Sequence, residues 1–324
     1  MSRLPWARSR SAIEHRPPAP RATQGALVLA LAAATVVAGS APALAQLGPP
    51  QPVIDSAPRA VGFKRTAVVK GHLENGSPGD EVTLERAPAG REFKPIATKL
   101  TDENGAVTFR VKGLNRTADY RLAWNEEVSG ARTTSEVRKI RVRPKLRMRM
   151  SRNNVMRGRS AVVRGGLRPA LPGRDVVIQR RVNGKWRTVT RAAAGDGRYR
   201  ARLRFNDIGR ERLRARFRGD GHNTRRTLVR GVRVYDPEPA TWYGPGFYGN
   251  RTACGRRLGY STLGVAHRSL PCGTEIDLLY EGRTVSVRVI DRGPYSSADW
   301  DLTRETADRL NFSGRDRVGV VRGG

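Results

Sequence analysis

The side chains able to do chemistry concentrate in residues 237–324. Asp291 ends the alternating run Thr284–Ile290 and opens the turn Asp291-Arg292-Gly293-Pro294, while Asp301 stands just ahead of a short helical stretch. Two carboxyl groups that converge from separate turns repel each other, which raises the pKa of one and makes it a candidate general acid. The plainer alternatives are that Asp291 accepts backbone N–H groups of its own turn and that Asp301 partners the N-terminus of the helix. Both cysteines, Cys254 and Cys272, lie in the same segment. In an exported chain an even pair reads as a disulfide. No metal is expected, because two cysteines with the single nearby His267 do not make a zinc cage. The Gly-rich runs have no phosphate-cradling helix behind them, so no nucleotide or other cofactor is expected.

These residues need elements to hold them. The stretch from Ala240 reads as Gly-rich turns and compact strands, with one helix over Thr303–Leu310, capped by Thr303 and carrying Glu305 and Thr306 in its first turn. It therefore reads as a small barrel with one or two short helices, assigned to residues 237–324.

The rest of the 324-residue chain is different in kind. Residues 26–40 form a short apolar run that follows an Arg-bearing stretch and precedes Ala43-Leu44-Ala45. That is the layout of a signal peptide over 1–45, with no membrane span left after its cleavage; the alternative is an uncleaved N-terminal anchor, and either way the rest of the chain is expected outside the cytoplasm. A Pro-rich linker is expected over 46–58. Beyond it a pattern occurs twice: Ala67-Val68-Val69-Lys70-Gly71 returns as Ala161-Val162-Val163-Arg164-Gly165, and Val82-Thr83-Leu84-Glu85-Arg86 as Val176-Val177-Ile178-Gln179-Arg180. Phe93 matches Trp186, and Trp124 matches Phe217. Short alternating segments with turn signals such as Asn75-Gly76, Asn104-Gly105 and Asn183-Gly184 predict an immunoglobulin-like β-sandwich for each copy, over 59–143 and 144–236.

The formal charge of +32 is unevenly placed: residues 144–236 hold 27 basic against 6 acidic residues, and 237–324 hold 12 against 10. Arg198, Arg200, Arg202 and Arg204, then Arg210, Arg212, Arg214, Arg216 and Arg218, alternate along two predicted strands, and are expected to form one positive plate. Outside the cytoplasm such a plate suits polyanionic wall polymers. Nucleic acid, the usual partner of a basic patch, is not expected for an exported chain.

The motifs WYGPGFYGNRTACG, AHRSLPCGT, VRVIDRGPY and DLT, in that order and spacing, resemble the double-psi β-barrel of the rare lipoprotein A (RlpA) family, related to expansins and to lytic transglycosylases. The resemblance covers about residues 240–321. It implies a six-stranded double-psi β-barrel there, so that with the two repeats the chain is expected to be all-β: two tandem immunoglobulin-like sandwiches followed by the barrel. It further implies that peptidoglycan glycan strands bind in a groove lined by Asp291 and Asp301, with cleavage by lytic transglycosylation as the activity and non-catalytic, expansin-like wall binding or a wall adhesin as the alternatives. In that reading Asp301 carries the proton, Asp291 tunes it or holds a sugar hydroxyl, and His267 occupies the AH position. Trp242, Tyr243 and Tyr295 offer ring faces to sugars, with Arg292 beside them. Two positions depart from the family pattern: Arg256 and Gly259 stand where glycan-cleaving members carry acidic residues.

Overall fold

The computed structural model describes residues 48–127 and 129–323. The expected signal peptide lies outside the described residues, and among those described no helix is long and apolar enough to cross a membrane. The chain is all-β, with a single helix among the described residues.

The first sandwich packs two sheets. One is β1 (Gln51–Ser56), β3 (Arg65–Glu74) and β6 (Ala106–Leu114). The other runs β2 (Ala60–Gly62), β9 (Arg138–Arg143), β7 (Ala118–Asn125), β4 (Glu81–Pro88) and β5 (Lys94–Leu100), with β8 (Arg132–Thr134) beside β7. Inward positions such as Val69, Leu84, Phe109, Tyr120 and Ile140 fill the space between them. Strand β1 lies inside the segment 46–58 that reads as linker. Pro52 and Ile54 point into the core, and proline is tolerated because β1 is an edge strand paired only to β3.

The second sandwich repeats this plan. The sheet β10 (Lys145–Met150), β12 (Ser160–Arg168), β15 (Arg198–Arg204) faces β14 (Lys185–Ala193), β13 (Asp175–Val182), β16 (Gly209–Phe217) and the first part of β17 (Arg226–Tyr243), and β11 (Asn154–Met156) pairs parallel to β17 as β2 does to β9. The equivalence reaches the surface. Arg121 stacks over Phe93 at 4.1 Å in the first copy, and Arg214 over Trp186 at 4.3 Å in the second. Asn223, buried between the copies, donates to the carbonyls of Asn115 and Val142 in the first and accepts from Arg174, which also pairs with Asp220.

The expected single arginine plate is two plates. Strand β15 belongs to one sheet and β16 to the other, so their outward arginines stand on opposite faces of the sandwich. Consecutive strands of a sandwich often cross between sheets, and alternation along each strand does not reveal the crossing.

Strand β17 is 18 residues long and passes through residues 236 and 237, where the barrel is expected to begin. Its second half pairs with β21 (Trp300–Thr303), and the pairing continues through β18 (Val265–Ala266), β20 (Arg283–Asp291), β19 (Glu275–Tyr280) and β22 (Asp316–Arg322). Strand β22 then pairs back onto β17 at Asp236–Ala240. Trp300, Leu278, Val289, Leu302 and Leu310 form the core, closed at one end by α1 (Arg304–Leu310). Thr303 is its N-cap and accepts from Thr306 N–H, as the sequence predicts. Tyr235, Leu279, Val321 and Met156 join this core to the second sandwich.

Candidate functional site

Four strands bring the candidate residues into one row. Thr241 on β17 pairs with Asp301 on β21, Asp301 with Ala266 on β18, and Ala266 with Asp291 at the end of β20. Residues paired across strands share a face, so Asp301 and Asp291 stand two strand spacings apart, about 10 Å between backbones. Ala266 stands between them in the row, and the Tyr243 hydroxyl feels the charge of both.

The two carboxylates are held differently. Asp291 accepts from the backbone N–H of Ala253 and of Arg292, both at 2.8 Å, and from the Tyr243 hydroxyl at 3.4 Å. It thus serves its own turn, as the plainer reading proposes, while presenting its second oxygen to Tyr243. The turn can be this tight because Gly293 has φ +114°, which favours glycine. Asp301 is not the helix cap, a role Thr303 fills. Its side chain has one side-chain hydrogen bond, accepted from the Thr241 hydroxyl at 2.8 Å. Burial pushes the Asp301 carboxyl above the usual carboxylate range, and the Asp291 charge adds to this, while the Thr241 hydrogen bond opposes it. Burial, followed by the charges of both aspartates, also raises the Tyr243 hydroxyl, so it stays a proton donor.

His267 accepts at Nδ1 from the backbone N–H of Ser269 and Leu270, at 3.1 and 3.0 Å, and its ring packs on Trp300. Burial, then Arg322 and Arg268, lowers its pKa. With Nδ1 occupied and the ring neutral, the proton sits on Nε2, and His267 offers a donor but no base. Cys254 and Cys272 are disulfide-bonded, and the Arg292 guanidinium lies against Cys272 Sγ at 3.4 Å. Trp242 packs on the barrel core with Arg304 over its ring at 4.9 Å, and Tyr295 is 89% exposed. Arg256 is exposed on the loop that carries Cys254, and the Gly259 N–H donates to Thr262 Oγ1 at 2.9 Å.

Two features were not evident from sequence. Thr241 positions Asp301 from a strand sixty residues away, and its only signal is that it shares the outward phase of Tyr243 in Ala240-Thr241-Trp242-Tyr243. Tyr248 and Tyr260 stack at 4.1 Å, with Tyr260 78% exposed, on the loop between β17 and β18.

A family model described as "Lytic transglycolase", a double-psi β-barrel family, matches residues 239–322. Residues 239–322 are an RlpA-like double-psi β-barrel domain. A probable endolytic peptidoglycan transglycosylase RlpA of Synechocystis is 51% identical over 18% of this chain and 18% of its own length. One from Aquifex aeolicus is 36% identical over 32% of this chain and 42% of its own, and the endolytic peptidoglycan transglycosylase RlpA of Pseudomonas aeruginosa is 38% identical over 25% of each. The chain thus spans less than half the length of these relatives. Among solved structures, bovine butyrophilin aligns with 57% of this chain and 99% of its own at 12% identity and a TM-score of 0.32, a likeness too low to carry an argument. The row Thr241, Asp301, Ala266, Asp291 lies wholly within the RlpA-like domain, and so does the disulfide.

Proposed function

We propose that this chain works outside the cytoplasmic membrane, where its RlpA-like domain binds peptidoglycan glycan strands across the Thr241–Asp291 row and cleaves them as a lytic transglycosylase. The observation that carries this reading is the state of Asp301: a half-buried carboxyl with a raised pKa, in the same cross-strand row as a second carboxylate. A protonated Asp301 gives its proton to the glycosidic oxygen as the C1–O bond breaks. The resulting carboxylate then takes the proton of the sugar's own 6-hydroxyl as O6 bonds to C1, which restores the acid and consumes no water. One carboxyl group therefore suffices, unlike in hydrolysis with its separate nucleophile or water base. Burial first, and the Asp291 charge in addition, favour the protonated form of Asp301; Asp291, fixed by two amides, accepts from a sugar hydroxyl, and Tyr243 and the exposed Tyr295 supply ring faces. The disulfide supports an oxidising compartment.

A second reading, expansin-like binding without cleavage, is favoured by Arg256 and Gly259, which bring no carboxylate to the neighbouring loop. Incubation of the chain with purified sacculi separates the two. Release of 1,6-anhydro-muropeptides supports cleavage, and sedimentation with sacculi without such products supports binding alone.

A further inference from the structure

The outer face of the sheet β10–β12–β15 is an unneutralised lattice of cations. Arg149, Arg164 and Arg200 are paired in register across the three strands. In the next row Arg147 and Arg198 flank Gly166, which puts no side chain between them. All five arginines are exposed. The ion pairs of the second sandwich lie elsewhere among the described residues, at Arg157–Asp236, Arg174–Asp220, Arg180 with Glu211 and Asp207, Arg191–Asp175 and Arg233–Asp277. Like charges directly opposite one another destabilise a sheet, so this arrangement costs stability. The face borders a concavity of about 1460 Å³ that Lys64 of the first sandwich also lines. The sheet beneath is held from inside, where Tyr199 donates to the Arg147 carbonyl at 2.6 Å. The opposite sheet is different: there Arg214 is engaged by Gln179 and Trp186.

We propose that this face binds a linear phosphodiester polymer of the cell wall. Guanidinium forks match phosphate oxygens in pairs. Along a strand the outward arginines repeat at about 6.8 Å and across strands at about 4.8 Å, a grid that meets closely spaced charges on an extended chain. For where it meets such a polymer the proposal rests on the wall-acting reading, but it uses no residue of the barrel.

The test measures binding of the full chain to immobilised poly(glycerol phosphate). Affinity is expected to fall steeply with salt, by close to one power of the salt concentration per phosphate engaged. Arg164→Gln should weaken binding by about threefold to tenfold at low salt. It should also raise the melting midpoint, because it removes the central member of a repelling row. The triple variant Arg149→Gln, Arg164→Gln, Arg200→Gln should lose binding altogether and still release muropeptides as the parent does. Arg210→Gln with Arg212→Gln, on the other sheet, should leave binding unchanged. The proposal is overturned if the parent does not bind, if the Arg210/Arg212 pair costs as much as the triple, or if double-stranded DNA at equal phosphate concentration binds more tightly. Failure of muropeptide release in the parent would remove the cleavage reading and leave this result untouched.

Discussion

Replacing Cys254 and Cys272 together by serine tests both the disulfide and the way the domain is built into the chain. The bond joins residues 18 apart, and closing a loop of that length in the unfolded chain is worth about 3 kcal/mol in the chain-entropy account. How far the melting midpoint drops depends on what melts as one unit. Strand β17 runs unbroken from the second sandwich into the barrel, and Tyr235, Leu279, Val321 and Met156 pack across the join. We therefore expect the segment from Lys145 to Arg322 to melt together. At about 2–4 °C per kcal/mol for a unit of that size, the midpoint falls by about 6–12 °C. A barrel melting alone would fall by about 12–24 °C, at the 4–8 °C per kcal/mol of a smaller domain. Calorimetry of the double variant and of the parent with reductant reads this directly. A drop under about 2 °C refutes the loop-closure reasoning, and a separate, strongly lowered transition refutes melting through the shared strand. The effect reaches the site as well, because Ala253, next to Cys254, and Arg292, against Cys272, both hold Asp291.

Other consequences follow from single contacts. The folded chain binds the Asp301 proton more tightly than the unfolded one, so ionisation of Asp301 costs stability as pH rises above its ordinary value of 3.8. Asp301→Asn should melt above the parent at pH 7 and with it at about pH 3, and equal midpoints at both would contradict the burial account. Thr241→Val removes the hydrogen bond that favours ionised Asp301, so the alkaline limb of the pH–rate profile should move to higher pH; an unmoved limb would show that another group sets it. Arg174, with its side chain 3% exposed, anchors Asp220 and Asn223 where the two sandwiches meet. Arg174→Ala should cost about 3–5 kcal/mol in denaturant unfolding, and a cost under about 1 kcal/mol would mean the buried pair is easily replaced.

The repeat and the fold class were legible because alternation fixes which side chains face inward, and because matched runs such as Ala67–Gly71 and Ala161–Gly165 occupy the same strand in each copy. Alternation does not say which sheet a strand joins, so β15 and β16 read as one plate. Nor did it overcome the proline signal at β1, where an edge position makes proline harmless. In the site, Asp291 and Asp301 stood out because each lies at a turn with a distinctive local sequence. Their partners did not, because Thr241 and Ala253 reach them through barrel pairings 60 and 38 residues apart that leave no local trace. Tyr243 read as a sugar platform by residue type alone, and its hydroxyl on Asp291 needed the fold.

The central claim is that Asp301 carries the proton that breaks the glycan. Parent chain and Asp301→Asn are incubated with the same purified sacculi, and both soluble 1,6-anhydro-muropeptides and sacculus-bound protein are measured. The account predicts products from the parent, none above background from Asp301→Asn, and equal binding by both, because the amide keeps the shape and the Thr241 contact but has no proton to transfer. Equal product release by the two chains would contradict it.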